Sequence, residues 1–165
     1  MIVIPRPGLR GNTAIAFQGT TNSNFTRSDE DRVPQDFLVD NTEDVLLANA
    51  KARLIRVSNL PADWDDNGAS RPSTAAVDWA QYLLKLLVSA ATNQGLAWRD
   101  PLVSATPEGE IVLEWWRRNQ KLTVYCSNDS ASYIKVWEEN RALFMEEGDL
   151  STSSLVDLWK WLTLS

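Results

Sequence analysis

The chain has 165 residues and a mass of 18.5 kDa, room for one well-buried core but not for two. Its 44% hydrophobic and 23% charged residues are ordinary for a globular protein, and no apolar run approaches the ~20 residues of a membrane-spanning helix. Histidine is absent, which removes the usual base for a serine or cysteine nucleophile and the commonest zinc ligand, while a net charge of −6 and a pI near 4.7 point away from a phosphate backbone as main partner and toward a basic protein surface.

Met1-Ile2-Val3-Ile4-Pro5 is too short, and broken too early by proline, for a secretory signal. With Cys126 as the single cysteine, the expected setting is cytoplasmic and the thiol is read as a small buried hydrophobe. Short strands are expected at Ile2 to Ile4 and Ala14 to Phe17. Residues from Gln18 to Asp36 are mostly polar and too poor in apolar side chains to offset the entropy of ordering. Residues 1–40 are therefore read as a partly flexible arm and 41–165 as one domain.

Asn41 or Thr42 caps a helix predicted to run to about Ser58, with Glu43 and Asp44 in its first turn, Arg56 near its end and Leu47, Ala50, Leu54 and Val57 as the buried stripe. A corner follows between Pro61 and Pro72. Asp65, Asp66, Asn67 and Gly68 favour turn conformations there, and Trp64 reads as the plug that fixes the corner on a core, with Asp65 and Gly68 as the other structural anchors. Ser73 then caps a helix to about Gln94, stopped by Gly95, with Ala76, Trp79, Ala80, Leu83, Leu86, Leu87 and Ala90 on the buried face.

From Pro101 to Trp137 the hydrophobic period changes to two. Pro107-Glu108-Gly109 fits a three-residue hairpin loop that pairs Ala105 with Ile111 and Val103 with Leu113. A turn at Arg118-Asn119 pairs Trp115 with Leu122, Leu113 with Val124 and Ile111 with Cys126. A loop at Asp129 to Ala131 is expected to pair Cys126 with Ile134 and Val124 with Val136. These registers put Glu114, Trp116, Tyr125, Tyr133 and Trp137, with Lys121 and Lys135, together on the outward face. Arg141 to Glu146 is read as a fourth strand, ended by Gly148-Asp149, and Ser151 or Ser153 caps a last helix with Leu155, Leu158, Trp159 and Leu162 on one face and Trp161 on its flank. The predicted fold is α+β: an antiparallel meander of three to four strands packed on an amphipathic helix, with an additional N-terminal helix and a short C-terminal one.

The stretch from about Leu54 to Trp137 resembles a widespread class of small bacterial proteins that share an L-P-x-x-W-D-G-x-G-A-x-P corner, a helix, and a P-x-V-x-x-T-P-D-G-x-I-x-L-E-W hairpin. The residues that carry the resemblance are Leu60-Pro61, Trp64-Asp65, Gly68-Ala69 and Pro72, then Pro101, Val103 and the run Thr106-Pro107-Glu108-Gly109-Glu110-Ile111-Val112-Leu113-Glu114-Trp115. Asp66 replaces the first glycine of the corner. The resemblance implies a fold and a bacterial setting, and it carries no catalytic residue.

Four constellations invite chemistry. Asp63, Asp65, Asn67 and Gly68 match half of a calcium loop, but Thr74 stands where a bidentate glutamate is needed and Arg71 at a ligand position, so a capped turn is the expectation and no metal or cofactor is expected. Glu110 and Glu114 alternate on one side of a strand, and with Asp129 would serve a carboxylate-dependent hydrolase or transferase without histidine. Arg117-Arg118 beside Trp116 is a nucleic-acid signal weaker than simple turn solvation. Trp159 and Trp161 suit a helix docked on its own core better than one on a membrane surface. What remains is the outward aromatic face, with Trp116, Tyr125, Tyr133 and Trp137 as expected partner contacts. The chain reads as a non-catalytic protein-binding module, such as the antitoxin-like inhibitory or regulatory member of a bacterial toxin–antitoxin or defence operon, with a self-assembling subunit as a third reading.

Overall fold

Seen in the computed structural model, which describes residues 36–164 and side chains from Thr42 onward, three helices and five strands follow one another among the described residues. They are α1 (Asp36–Ser58), α2 (Thr74–Gln94), β1 (Leu102–Ala105), β2 (Ile111–Arg117), β3 (Gln120–Cys126), β4 (Ala131–Glu139), β5 (Ala142–Asp149) and α3 (Thr152–Leu164). The expectations for Ile2 to Ile4, Ala14 to Phe17 and 18–35 lie outside the described residues. The class is α+β, and the meander has five antiparallel strands in sequential order, one more than the largest number expected.

All three helices contribute to one core with a single face of the sheet. Leu47, Ala50 and Leu54 of α1, Ala76 to Ala91 of α2 and Leu155, Leu158, Trp159 and Leu162 of α3 meet Val103, Ile111, Leu113, Trp115, Leu122, Val124, Cys126 and Ala131. Burial pushes the Cys126 thiol up to about 12, so it stays a protonated packing group. No helix among the described residues is long and apolar enough to cross a membrane.

The helices follow their sequence signals with two differences. Helix α1 begins at Asp36 rather than at Asn41 or Thr42, because neither proline nor glycine interrupts the chain between Asp36 and Ser58 and hydrogen-bonded turns propagate until something stops them. Arg53 donates through Nη1 to the Pro101 carbonyl at 2.6 Å and so ties α1 to the start of β1. Helix α2 is capped by Ser73, whose Oγ accepts from Ala76 N at 3.0 Å, and ended by Gly95 at φ 64°. Its buried stripe includes Leu84, Val88 and Ala91, leaving Trp79 half-buried. Helix α3 is capped at Ser151, with Ser154 N donating to Ser151 Oγ and Ser151 N to Ser154 Oγ, a reciprocal pair that satisfies both donors.

The corner closes on its own carboxylates. Asp65 Oδ1 accepts from Asn67 N at 2.9 Å and Ala69 N at 3.0 Å, and Asp63 Oδ1 accepts from Gly68 N at 2.6 Å. The Asn67 and Ala69 N–H groups hold the Asp65 carboxyl below its ordinary value. Asp66 takes the left-handed conformation at φ 58°, so the turn that a glycine would relax is made by an aspartate, a residue type that tolerates it. Trp64 is half-buried and lies outside the main core; its Nε1 donates to the Ser70 carbonyl, clamping the corner from within.

The corner docks on the first hairpin. Ser70 N donates to Pro107 O at 2.7 Å and Ser73 N to Gly109 O at 3.0 Å, so the residue that caps α2 also binds the β1–β2 loop. Gly109 has φ 90°, and a Cβ there would stand 2.8 Å from the Arg71 carbonyl oxygen. Only glycine fits this contact, both for its backbone conformation and for its lack of a side chain.

The first two hairpins pair as their turns dictate: Val103 with Leu113, Ala105 with Ile111, then Ile111 with Cys126, Leu113 with Val124 and Trp115 with Leu122. The third does not. Cys126 pairs with Ala131, Val124 with Tyr133 and Leu122 with Lys135, because the loop closes tightly at Ser127, whose N and Oγ both donate to the Ser130 carbonyl. The displacement is an odd number of residues, so it exchanges the two faces of β4. Tyr133, Lys135 and Trp137 turn to the helix side, while Ile134 and Val136 join the outer face. Gly148 does not end β5. It lies opposite Tyr133, whose ring edge would be 3.2 Å from a Cβ at that position, and the strand continues beneath the ring.

Substituting Gly109→Ala is expected to cost about 2 kcal/mol or more in urea unfolding, against about 1 kcal/mol for Gly95→Ala, where a new methyl meets nothing within 4 Å. Equal costs would show that the corner does not seat on the hairpin.

Candidate interaction face

Cross-strand register arranges the outer face in rows. One row runs Trp116, Lys121, Val136 and Met145; the next runs Leu102, Glu114, Thr123, Ile134 and Glu147; a third runs Ser104, Val112, Tyr125, Ser132 and Asp149. Trp116 is 61% exposed and Met145 65%, with Val136 half-buried between them, whereas Val112 and Thr123 are buried at the centre. Polar side chains brace the apolar ones. Lys121 Nζ lies 4.6 Å from the centre of the Trp116 ring and forms an ion pair with Glu114, which also accepts from Thr123 Oγ1. The indole is thus fixed in orientation while its far side faces solvent, the arrangement that makes tryptophan an effective contact at low entropic cost. Beside this row an open depression of about 260 Å³ is lined by Tyr125, Ser132, Ile134, Glu147 and Asp149 among others.

The four expected contacts therefore divide two and two. Trp116 and Tyr125 lie on the outer face. Tyr133 and Trp137 lie on the helix side, where Tyr133 packs against the core cluster. Trp137 stacks on Phe144 at 5.5 Å and meets Trp161 of α3 edge-on at 6.1 Å. Lys135 is a charge on a face expected to be apolar, tolerated because Glu146 sits 2.7 Å from its Nζ and the Trp137 and Trp161 rings lie 5.5 and 5.6 Å away. Outer-face contacts missed from the sequence are Ile134, Val136, Leu143 and Met145. Ile134 and Val136 followed the misassigned β3–β4 register; for Leu143 and Met145 the available signal was the Asn140-Arg141 pair, both at positive φ, whose two-residue hairpin fixes the register of β5 on β4.

The other candidate chemistry is spent on structure. Arg117 Nη1 donates to the Leu162 carbonyl at 2.8 Å and neutralises the C-terminal end of α3, so one member of the arginine pair is committed to the fold. Glu114 is held by Lys121 and Thr123, and Glu110 accepts from the Thr106 hydroxyl at 3.3 Å. Asp129 stands exposed in the β3–β4 loop. The carboxylates of the half-matched calcium loop accept backbone N–H groups, and no group of three or more metal-ligating side chains is gathered among the described residues. Trp159 is buried in the core and Trp161 half-buried against β4, so both belong to docking of α3.

Lys135 and the Tyr133 hydroxyl together hold the Glu146 carboxyl below its ordinary value of 4.5, and the same hydrogen bond holds the Tyr133 phenol above 10.0. A lowered folded pKa gives stability that is present above the unfolded value and lost as pH falls through the folded one; a raised phenol gives stability lost as pH rises. The β4–β5 pair should therefore hold best between these limits. Below about pH 4.5 the melting temperature of the native chain should fall more steeply than that of Glu146→Gln. Parallel curves would mean the carboxylate is not engaged.

Compared with family models, curated proteins and solved structures, the chain matches none, so its function is read from its own geometry.

Proposed function

We propose that this chain is a non-catalytic module that binds another protein through the outer face of its sheet. The observation that carries the reading is Trp116, held by Lys121 yet 61% exposed, in one row with Val136 and Met145. A sheet covered on one side normally presents polar residues to water on the other. Here large apolar side chains ringed by Glu114, Lys121, Glu138 and Glu147 replace them, a composition of aromatic anchor and charged rim that suits a partner surface. The net charge of −6 favours a basic partner, and masking such a surface is the task of an inhibitory or regulatory subunit in a bacterial toxin–antitoxin or defence pair.

The adjacent tryptophans provide the test. Trp116→Ala should abolish capture of the partner coexpressed from neighbouring genes while changing unfolding free energy by less than about 1 kcal/mol. Trp115→Ala, which empties a core position, should cost about 3–5 kcal/mol. Capture undiminished by Trp116→Ala, at a stability equal to the native chain's, would refute the reading.

A further inference from the structure

We propose that the free edge of β5 accepts an added strand: an extended segment of a protein partner with apolar side chains opposite Leu143 and Met145 and lysine or arginine opposite Glu147 and Asp149. The proposal rests on the partner-binding reading and adds where, and by what backbone geometry, the partner is held.

The two edges of the sheet differ. Strand β1 is short, and α1 fastens to it through the Arg53 bond to Pro101. Strand β5 has eight residues, pairs with β4 in one unbroken register from Ser132↔Asp149 to Glu139↔Ala142, and has no second neighbour among the described strands. Among the described residues nothing pairs with the backbone N–H and C=O groups on its far side. Edges of this kind are usually blunted by lysine, proline, a bulge or a covering element, because they otherwise recruit another chain. The sequence of β5, Ala142-Leu143-Phe144-Met145-Glu146-Glu147-Gly148-Asp149, has no lysine or proline and its register with β4 has no bulge; its charges are Glu146, drawn to Lys135 on the helix side, and Glu147 and Asp149 on the outer side. Leu143 is 76%, Met145 65% and Phe144 43% exposed, so apolar groups flank the edge on both faces.

Charge selects the occupant. Between Glu138 and Asp149 stand Glu138, Glu139, Glu146, Glu147 and Asp149 against Arg141 alone. Lys135 takes up Glu146, while among the described residues no ion pair engages Glu138, Glu139, Glu147 or Asp149. A second copy of β5 would bring the same acidic cluster alongside. A basic extended segment would complement it, and register fixes the order of chemistry: at every second position on the outer side, two apolar residues opposite Leu143 and Met145, then two basic ones opposite Glu147 and Asp149. On the outer side these positions continue into the depression at Tyr125 and Ser132, which gives the long basic side chains space. Main-chain hydrogen bonds supply affinity and the alternate side chains supply selection.

The probe is an acetylated, amidated Lys-Thr-Lys-Thr-Val-Thr-Val peptide and its reversed sequence, titrated into the isotope-labelled full chain and followed by NMR and amide hydrogen exchange. One of the two orientations should bind, protect alternate amides of β5, and weaken a few-fold between low and high salt. Replacing its lysines by glutamate should lower affinity at least ten-fold, as should Glu147→Lys with Asp149→Lys in the protein. N-methylation at one set of alternate peptide residues should abolish binding, and at the other set leave it within a few-fold, since only one side of an added strand faces β5. Failure of both orientations to bind, equal binding of the glutamate peptide, or indifference to both N-methyl sets would overturn the proposal. So would a dimer of the chain alone with β5 amides already protected. Shifts confined to Trp116, Tyr125 and Val136 would overturn the edge and leave the outer-face reading standing. Protection of β5 without them would support the edge whatever becomes of the face.

Discussion

Two adjacent tryptophans on β2 must leave the backbone on opposite sides, and the rest of the molecule is arranged around that alternation. Trp115 points into the core, where its ring meets Trp159 edge-on at 5.6 Å and its Nε1 donates to the Arg99 carbonyl at 2.9 Å. Trp98 meets Trp159 at 5.5 Å and bonds Asp100 through its own Nε1. This aromatic group seats α3 and the segment leading into β1 against the sheet. Trp159 Nε1 is buried without a partner among the described residues, a loss of about 1–3 kcal/mol that the packing of three indoles offsets. Once Trp115 is committed inward, Trp116 has nowhere to go but the opposite face.

The helix layer then sets the limits of coverage. Helix α1 packs on β1, α2 spans β2 and β3, and α3 lies over β3 with Trp161 reaching β4. None of the described helices packs extensively on β5. Its helix-side face is filled instead by long side chains that shield one another: Tyr133 across Gly148, Lys135 between a carboxylate and two indoles, Trp137 on Phe144. That solution is local and only partly buried, which makes β5 the end of the fold with the most surface left to offer. The clasp between corner and hairpin works at the other end, where Ser73 at once caps α2 and binds Gly109, locking helix direction to strand register.

Much of this was legible because the deciding residues act locally. Ser73, Gly95 and Gly109 each have a conformational role that few residues can fill, and each marked a boundary correctly. The first two hairpin registers followed from loop length and from apolar residues confined to one face. The third failed for a physical reason: β4 carries Ile134 and Val136 on one side and Tyr133 and Trp137 on the other, so hydrophobicity alone does not choose between them. The choice lies with the Ser127–Ser130 closure and with Glu146, a partner for Lys135 on a strand whose extent was underestimated. The candidate site was readable as a type of surface, with Trp116 and Tyr125 placed correctly, but half of its residues followed the misassigned register to the wrong side.

The outer face and the β5 edge are adjacent through Met145, so a partner laid along the edge would also cover the row that ends in Trp116. Everything functional in this account depends on one sheet face being closed and the other open in the full-length chain. Hydroxyl-radical footprinting of the intact protein measures that difference directly, residue by residue. Rapid oxidation of Trp116 and Met145 is expected, with strong protection of Trp115 and Trp159. Comparable protection of Trp116 and Trp115 in the monomer would contradict it.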